Sequence, residues 1–366
     1  MGSNQALKPV KMAAGMTLRR SLLDSLPTRL GNSQMEAFVP TVSIIIGVYN
    51  GADTIAACLE SLLSQNYPAD AYDIIVVENG STDSTTEIVE RYPVRLYHNS
   101  IRGLAAARMF GIARSEAEIV AFTDADCIAD PNWLLQLVEP YADPEIGGVG
   151  GAILAWRHAD RSTEELFCDE WSPLVNFSSG ENEFLPHLYT ANASYRRSLL
   201  DRIGGFNTEL IASEDVDVAW RIQLQTSAKL YYAPKAIIYH RHRATRTGLA
   251  RQYRRYGFGE ILLDTMYGKY PGYPRSRWYQ VRRILGQTAA LPRYALSALL
   301  RRVRLLTGRA TPYQAAVPKL WLLIESSNIR GKLEGLVATR LMTDIRPVLN
   351  MEAKTMITRL FSSQKE

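Results

Sequence analysis

The chain has 366 residues, 46% of them hydrophobic and 22% charged. That length suits one large domain with an appendage, or two domains, and the composition is that of a globular chain with a sizeable core rather than a disordered one. The formal charge of +5 comes with arginines crowded between Arg241 and Arg304, which points to an anionic partner or to a solvated helix face.

Cys58, Cys127 and Cys168 make no C-x-x-C pair, so neither a zinc site nor a disulfide framework is expected. A reducing, cytoplasmic setting fits that usage. No signal peptide is read at the N-terminus, and no run reaches the roughly 18 apolar residues of a membrane span. The nearest, Ala289 to Leu306, is interrupted by Pro292 and four arginines.

Residues 1–40 show no sustained period beyond a short amphipathic stretch at Leu18–Leu30, and read as a loosely ordered leader. Val42–Val48 is apolar and β-branched, the pattern of a strand buried on both faces. A helix is predicted over Asp53–Asn66, a second buried strand over Ile74–Val77, and a helix over Thr85–Tyr92 capped from Ser81-Thr82-Asp83. Val94–Tyr97 predicts a strand, Gly103–Arg114 a helix and Glu118–Thr123 another buried strand.

Strands alternating with helices imply βαβ units and a parallel sheet. After Gly151 the alternation stops, and Ala155–Pro186 reads as loops or a lid. Helices are predicted at Ser198–Ile203 and Asp215–Leu224, with short strands at Leu230–Tyr232 and Ile237–Tyr239. From a boundary near Arg246 the chain reads as three helices: Gly248–Tyr267, Arg277–Leu306 and Lys319–Leu341.

Ligands bind at the carboxyl ends of strands in such sheets. Those ends carry Tyr49-Asn50, Glu78-Asn79 and Asp124-Ala125-Asp126. Two carboxylates one residue apart on a bend can share Mg²⁺ or Mn²⁺, though acidic pairs also cap helices. Glu214-Asp215-x-Asp217 supplies either a general base or the acids that a helix N-terminus favours, and spacing does not separate the two. His240 and His242, just after an apolar strand, read as structural or as an imidazole ligand for the same ion.

In order along the chain, these segments resemble the family-2 inverting glycosyltransferases of GT-A fold. The resemblance runs from Val42-Ser43-Ile44-Ile45-Ile46 through Val77-Glu78-Asn79-Gly80-Ser81-Thr82-Asp83. It continues with Gly103, Arg108, Asp124-Ala125-Asp126 and Gly204-Gly205-Phe206, and ends at Glu214-Asp215-Val216-Asp217. It implies a doubly wound, mostly parallel α/β sheet over residues 41–245, with a helical, basic region over 246–366.

The resemblance also implies a nucleoside-diphosphate-sugar donor, a UDP-sugar favoured, and a saccharide or lipid-linked acceptor in polysaccharide or glycolipid assembly. Tyr49, Asn50, Glu78, Arg108 and Asp124 would hold the nucleotide. Asp126 and His240 would hold Mn²⁺ or Mg²⁺, and Asp215 would be the catalytic base. Glu214 and Trp171 would face the acceptor or sugar. Glu78 departs from the family's usual Asp, and Met109 from its usual Asn.

A nucleotidyltransferase is the alternative. It would need a basic, Gly-rich loop after the first strand, where Val48 to Asp53 holds no Lys or Arg. A non-catalytic sugar-binding module would be expected to lose Asp126 or Asp215, and both are present. Nucleic acid is not an expected partner, since no recognition motif accompanies the charge. Arg282–Arg304 interleaves arginine with leucine, which fits either a peripheral helix on an anionic membrane surface or a helix packed on the catalytic domain.

Overall fold

The computed structural model describes residues 39–171, 174, 176, 184–274 and 278–341. The leader, with its Leu18–Leu30 stretch, lies outside them apart from Val39-Pro40. Three strands come from apolar, β-branched runs: β1 (Val42–Val48), β2 (Tyr72–Glu78) and β4 (Ile119–Asp124). Ile44 and Ile46 point into one core layer and Ile45 into the other, so neither face of β1 meets water. Helices α1 (Ile55–Leu63) and α4 (Trp133–Val138) cover the first layer; α3 (Leu104–Ile112) and α7 (Glu214–Gln225) cover the second.

β3 (Arg95–His98), β2, β1 and β4 run parallel, with the short α2 (Thr85–Val89) between β2 and β3. β7 (Asn192–Arg196) then pairs antiparallel with β4 and β6 (Ile146–Ala155). β8 (Lys229–His240) runs parallel to β6, and β5 (Cys127–Ala129) pairs antiparallel with β8. The eight-stranded order is β3-β2-β1-β4-β7-β6-β8-β5. The sheet is mostly parallel, as expected, but not wholly so.

Several expectations are corrected. Ala155–Pro186 is not all loop: helix α5 (Thr163–Trp171) lies within it, opened by a reciprocal cap of Ser162 and Glu165. The two short strands after Leu230 are one, β8, irregular where the register slips between Gly151 and Ala152. α2 stops at Val89 and is capped by Asp83, whose Oδ1 accepts from the Thr85 amide; the Ser81 hydroxyl turns instead to the Asn50 amide.

Helix α6 (Arg197–Ile203) ends at Gly204 in the left-handed region, φ 77°, open to a residue without a Cβ. The remaining helices are α8 (Arg246–Tyr267), α9 (Tyr279–Leu306) and α10 (Pro312–Leu341). Pro292 lies inside α9 and does not end it; Arg277, read as its first residue, is outside the described residues. α8 and α10 cross closely, with glycine at the contact: a Cβ on Gly331 would sit 1.9 Å from the Arg254 carbonyl oxygen. α8 also braces the loop before α7, where Arg255 Nη2 donates to the Ile211 carbonyl at 2.8 Å.

Candidate active site

Parallel register brings the carboxyl ends of β1, β2 and β4 side by side, with Val48 opposite Glu78 and Gly47 opposite Asp124. The loop after β1 is tied to the loop after β2. Asn50, at φ 50°, accepts from the Thr82 amide at 2.8 Å, and the Gly51 amide donates to Thr85 Oγ1 at 2.9 Å. Asn tolerates that left-handed backbone better than most residues. Tyr49 stays exposed, with the Arg102 guanidinium 5.7 Å from its ring centre.

Glu78 is buried. Its Oε1 accepts from the Ser81 amide and its Oε2 lies 3.1 Å from His98 Nδ1. Burial pushes this carboxyl up, but the Ser81 amide and His98 outweigh it and hold the group below its usual range.

Asp124, at the end of β4, meets the buried Arg108 of α3 at 3.2 Å. The other guanidinium nitrogen of Arg108 lies 2.7 Å from Glu214, the first residue of α7. One arginine therefore joins the acid pair after β4 to the acid cluster opening α7. Burial raises the Asp124 carboxyl against the pull of Arg108.

Antiparallel pairing sets Cys127 opposite His240, and the Arg241 amide donates to the Asp126 carbonyl at 2.9 Å. This register carries His240 Nε2 to 3.5 Å from Asp126 Oδ1. Asp124, Asp126 and His240 offer ligand atoms within 4.8 Å of one another, the one such metal-ligating group among the described residues. Asp126 Oδ1 is buried without a hydrogen-bond partner, and two carboxylates with an imidazole are a donor set that holds a divalent ion. The residues present fit one. Arg243 Nη1 reaches Asp126 Oδ2 at 2.9 Å and faces the same group.

The cluster at α7 sorts by environment. Asp217 is fully buried between Arg221, at 2.7 Å, and the Tyr267 hydroxyl, at 2.6 Å, and so is structural. Glu214 is held by Arg108. Asp215 lies two residues after Ser213, at φ 62°, and among the described residues accepts a local hydrogen bond alone, from the Val216 amide. Burial, then the Glu214 carboxylate beside it, push Asp215 up to about 7. A half-buried carboxyl titrating there can take up a proton near neutral pH.

Trp171 ends α5 and packs edge-on to Trp321 of α10, ring centres 6.1 Å apart. The structure adds Arg243, Arg102 and His98 to the residues picked from the sequence. Only Arg243 left a trace there, as a further basic residue in His240-Arg241-His242-Arg243.

Residues 43–204 match the model of glycosyl transferase family 2. Over 236 residues the chain is 30% identical to glycosyltransferase AglE of Haloferax volcanii, covering 63% of this chain and 76% of AglE. The chain belongs to glycosyl transferase family 2.

Another family relative is the pre-mycofactocin glycosyltransferase of Mycobacterium tuberculosis. It is 28% identical over 211 residues, which are 55% of this chain and 43% of that protein. Among solved structures, the mannosyltransferase PcManGT of Pyrobaculum calidifontis, in complex with GDP-Man and Mn²⁺, superposes with a TM-score of 0.51. That likeness covers 97% of this chain and 90% of PcManGT at 18% identity, and it shows the shared GT-A fold. No helix among the described residues is long and apolar enough to cross a membrane.

Proposed function

We propose that this family-2 glycosyltransferase moves a sugar from a nucleoside-diphosphate donor to an acceptor hydroxyl in one inverting displacement. The observation that carries the reading is the sorting of the acids. Glu214 is bound by Arg108 and Asp217 by Arg221 and Tyr267, which leaves Asp215 to take a proton. Asp215 deprotonates the acceptor oxygen as that oxygen forms its bond to the anomeric carbon and the diphosphate departs. Arg108 fixes Asp215's neighbour and Asp124 together, so base and diphosphate site keep a set spacing.

Asp124, Asp126 and His240 would hold Mn²⁺ or Mg²⁺, which neutralises charge on a leaving diphosphate. Arg243, on the same carboxylate, is placed to add its own charge. Tyr49, Asn50 and Glu78 border the site for the nucleoside, a uridine being favoured by the family pattern. Both Glu78 oxygens are engaged, so Glu78 reads a base only if His98 yields. Glu214 acts here through its Arg108 pair. Trp171 is left to an acceptor role on the α5 side. A saccharide or lipid-linked acceptor is what the family resemblance implies.

The test is the anomeric configuration of the product by proton NMR, once a donor is in hand. An α-linked donor should give a β-linked product. Retention would contradict a single displacement with Asp215 as base.

A further inference from the structure

Helix α9 carries two apolar seams on opposite sides. The inner seam packs: Tyr294 stacks on Trp321 with ring centres 5.9 Å apart, Ala298 is buried, and Gln287 donates to Glu325 at 2.7 Å. The outer seam follows Val281, Leu285, Ala289, Pro292, Leu296, Leu299, Val303 and Leu306, steps of three and four that keep to one face of the helix. Every one of these side chains is exposed, Leu285 at 63%, Leu299 at 61% and Leu306 at 79%. Trp278, just before the helix, continues the line and is 67% exposed. A contiguous apolar stripe of this length on a surface marks an interaction site.

The charge around it selects the partner. At 100° per residue, Arg282 and Arg293 fall on one flank of the stripe and Arg302 on the other, and all three are exposed. From 265 to 324 the sequence contains eleven Lys or Arg and no Asp or Glu. A second copy laid against this stripe would bring arginine flank to arginine flank with no acid to pair them. Nucleic acid would match the charge and leave the leucines in water.

We propose that the outer face of α9 docks the enzyme on an anionic lipid bilayer, with its leucines in the acyl boundary and its arginines among the headgroups. The inner seam meanwhile holds the helix to α10, so the attachment is rigidly coupled to the rest of the fold. A lipid-anchored acceptor would then be presented at the surface where the enzyme rests.

Co-sedimentation of the full chain with phosphatidylcholine vesicles, with and without phosphatidylglycerol, tests this. Binding should require phosphatidylglycerol and weaken as salt rises. Leu296→Asp/Leu299→Asp should weaken binding by about a hundredfold, since two exposed leucines are lost from the buried face. Replacing Arg282, Arg293 and Arg302 by Gln should cost roughly fivefold per residue.

Leu296 and Leu299 are exposed, so the double variant should unfold at the wild-type temperature and keep wild-type turnover with a soluble acceptor. That separates failure of the docking from failure of the assigned chemistry. Equal recovery in the supernatant with both vesicles would overturn the proposal. So would a wild-type dimer that the double variant dissociates and that ignores vesicles, which would assign the stripe to a second copy.

Discussion

Arg243 Nη1 lies 2.9 Å from Asp126 Oδ2, so a side-chain cation already rests on one carboxylate of the candidate metal group. His240 stands 3.5 Å from the other oxygen. A divalent ion arriving there meets a like charge, which disfavours the bare ion and favours ion and diphosphate together. Arg243→Gln should therefore bind Mn²⁺ alone more tightly, by roughly tenfold for one partly screened contact. Its turnover with donor should fall. Free Mn²⁺ by electron paramagnetic resonance reads the first effect, and unchanged affinity would show that Arg243 does not compete for the site.

Asp215→Asn keeps the shape of the side chain and removes the proposed base. Turnover should drop by about a hundred- to ten-thousand-fold, the usual range for a general base. The donor's dissociation constant should stay within error, because the proton moves only in the transition state. A large loss of donor affinity in calorimetry would make Asp215 part of the donor site instead.

The pH profile follows from the same carboxyl. A base works only when ionised, and Asp215 is pushed up to about 7 by burial and by Glu214. So kcat/KM should climb with pH and level off above about 7. Glu214→Gln removes the neighbouring negative charge and leaves Arg108 with Asp124 as its remaining carboxylate partner. Both changes favour the carboxylate, so the rising limb should move to lower pH. A limb that stays in place would assign the titration to another group.

Gly331→Ala probes the crossing of α8 and α10. The new Cβ would meet the Arg254 carbonyl oxygen at 1.9 Å, so the helices must part. Alanine's helix propensity returns about 0.5–1 kcal/mol, against about 1–3 kcal/mol for overpacking. Thermal unfolding should fall by a few degrees. Because α8 braces Ile211 near Asp215, turnover should fall as well.

The parallel half of the sheet is legible because its strands are buried on both faces, which leaves near-continuous apolar runs at Val42–Val48 and Ile74–Val77. β7 is not legible: Asn192 and Ser194 are polar strand residues whose partners, Trp133 Nε1 and the Tyr141 hydroxyl, come from distant segments. The glycines of β6 hide a strand for a related reason, since Tyr195 crowds Gly148 and Leu188 crowds Gly150. Acids at strand ends can be picked out from the sequence alone. The division of labour among Glu214, Asp215 and Asp217 cannot be read from their spacing, because Arg108, Arg221 and Tyr267 decide it across the fold. The approach of His240 to Asp126 is likewise a fact of register, Cys127 against His240.

The measurement that bears most directly on the account is thermal unfolding of wild type and Asp126→Ala with a panel of nucleoside-diphosphate sugars, in Mn²⁺ and in EDTA. Asp126 Oδ1 has no hydrogen-bond partner to lose, and Arg243 on Oδ2 is half exposed and can turn to water, so the substitution should leave the fold intact. At least one donor should stabilise the wild type in Mn²⁺, by about 2.7 kcal/mol at a hundredfold excess over its dissociation constant. EDTA or Asp126→Ala should remove that gain. A donor that stabilises both proteins equally in EDTA would contradict a metal-held diphosphate at Asp126.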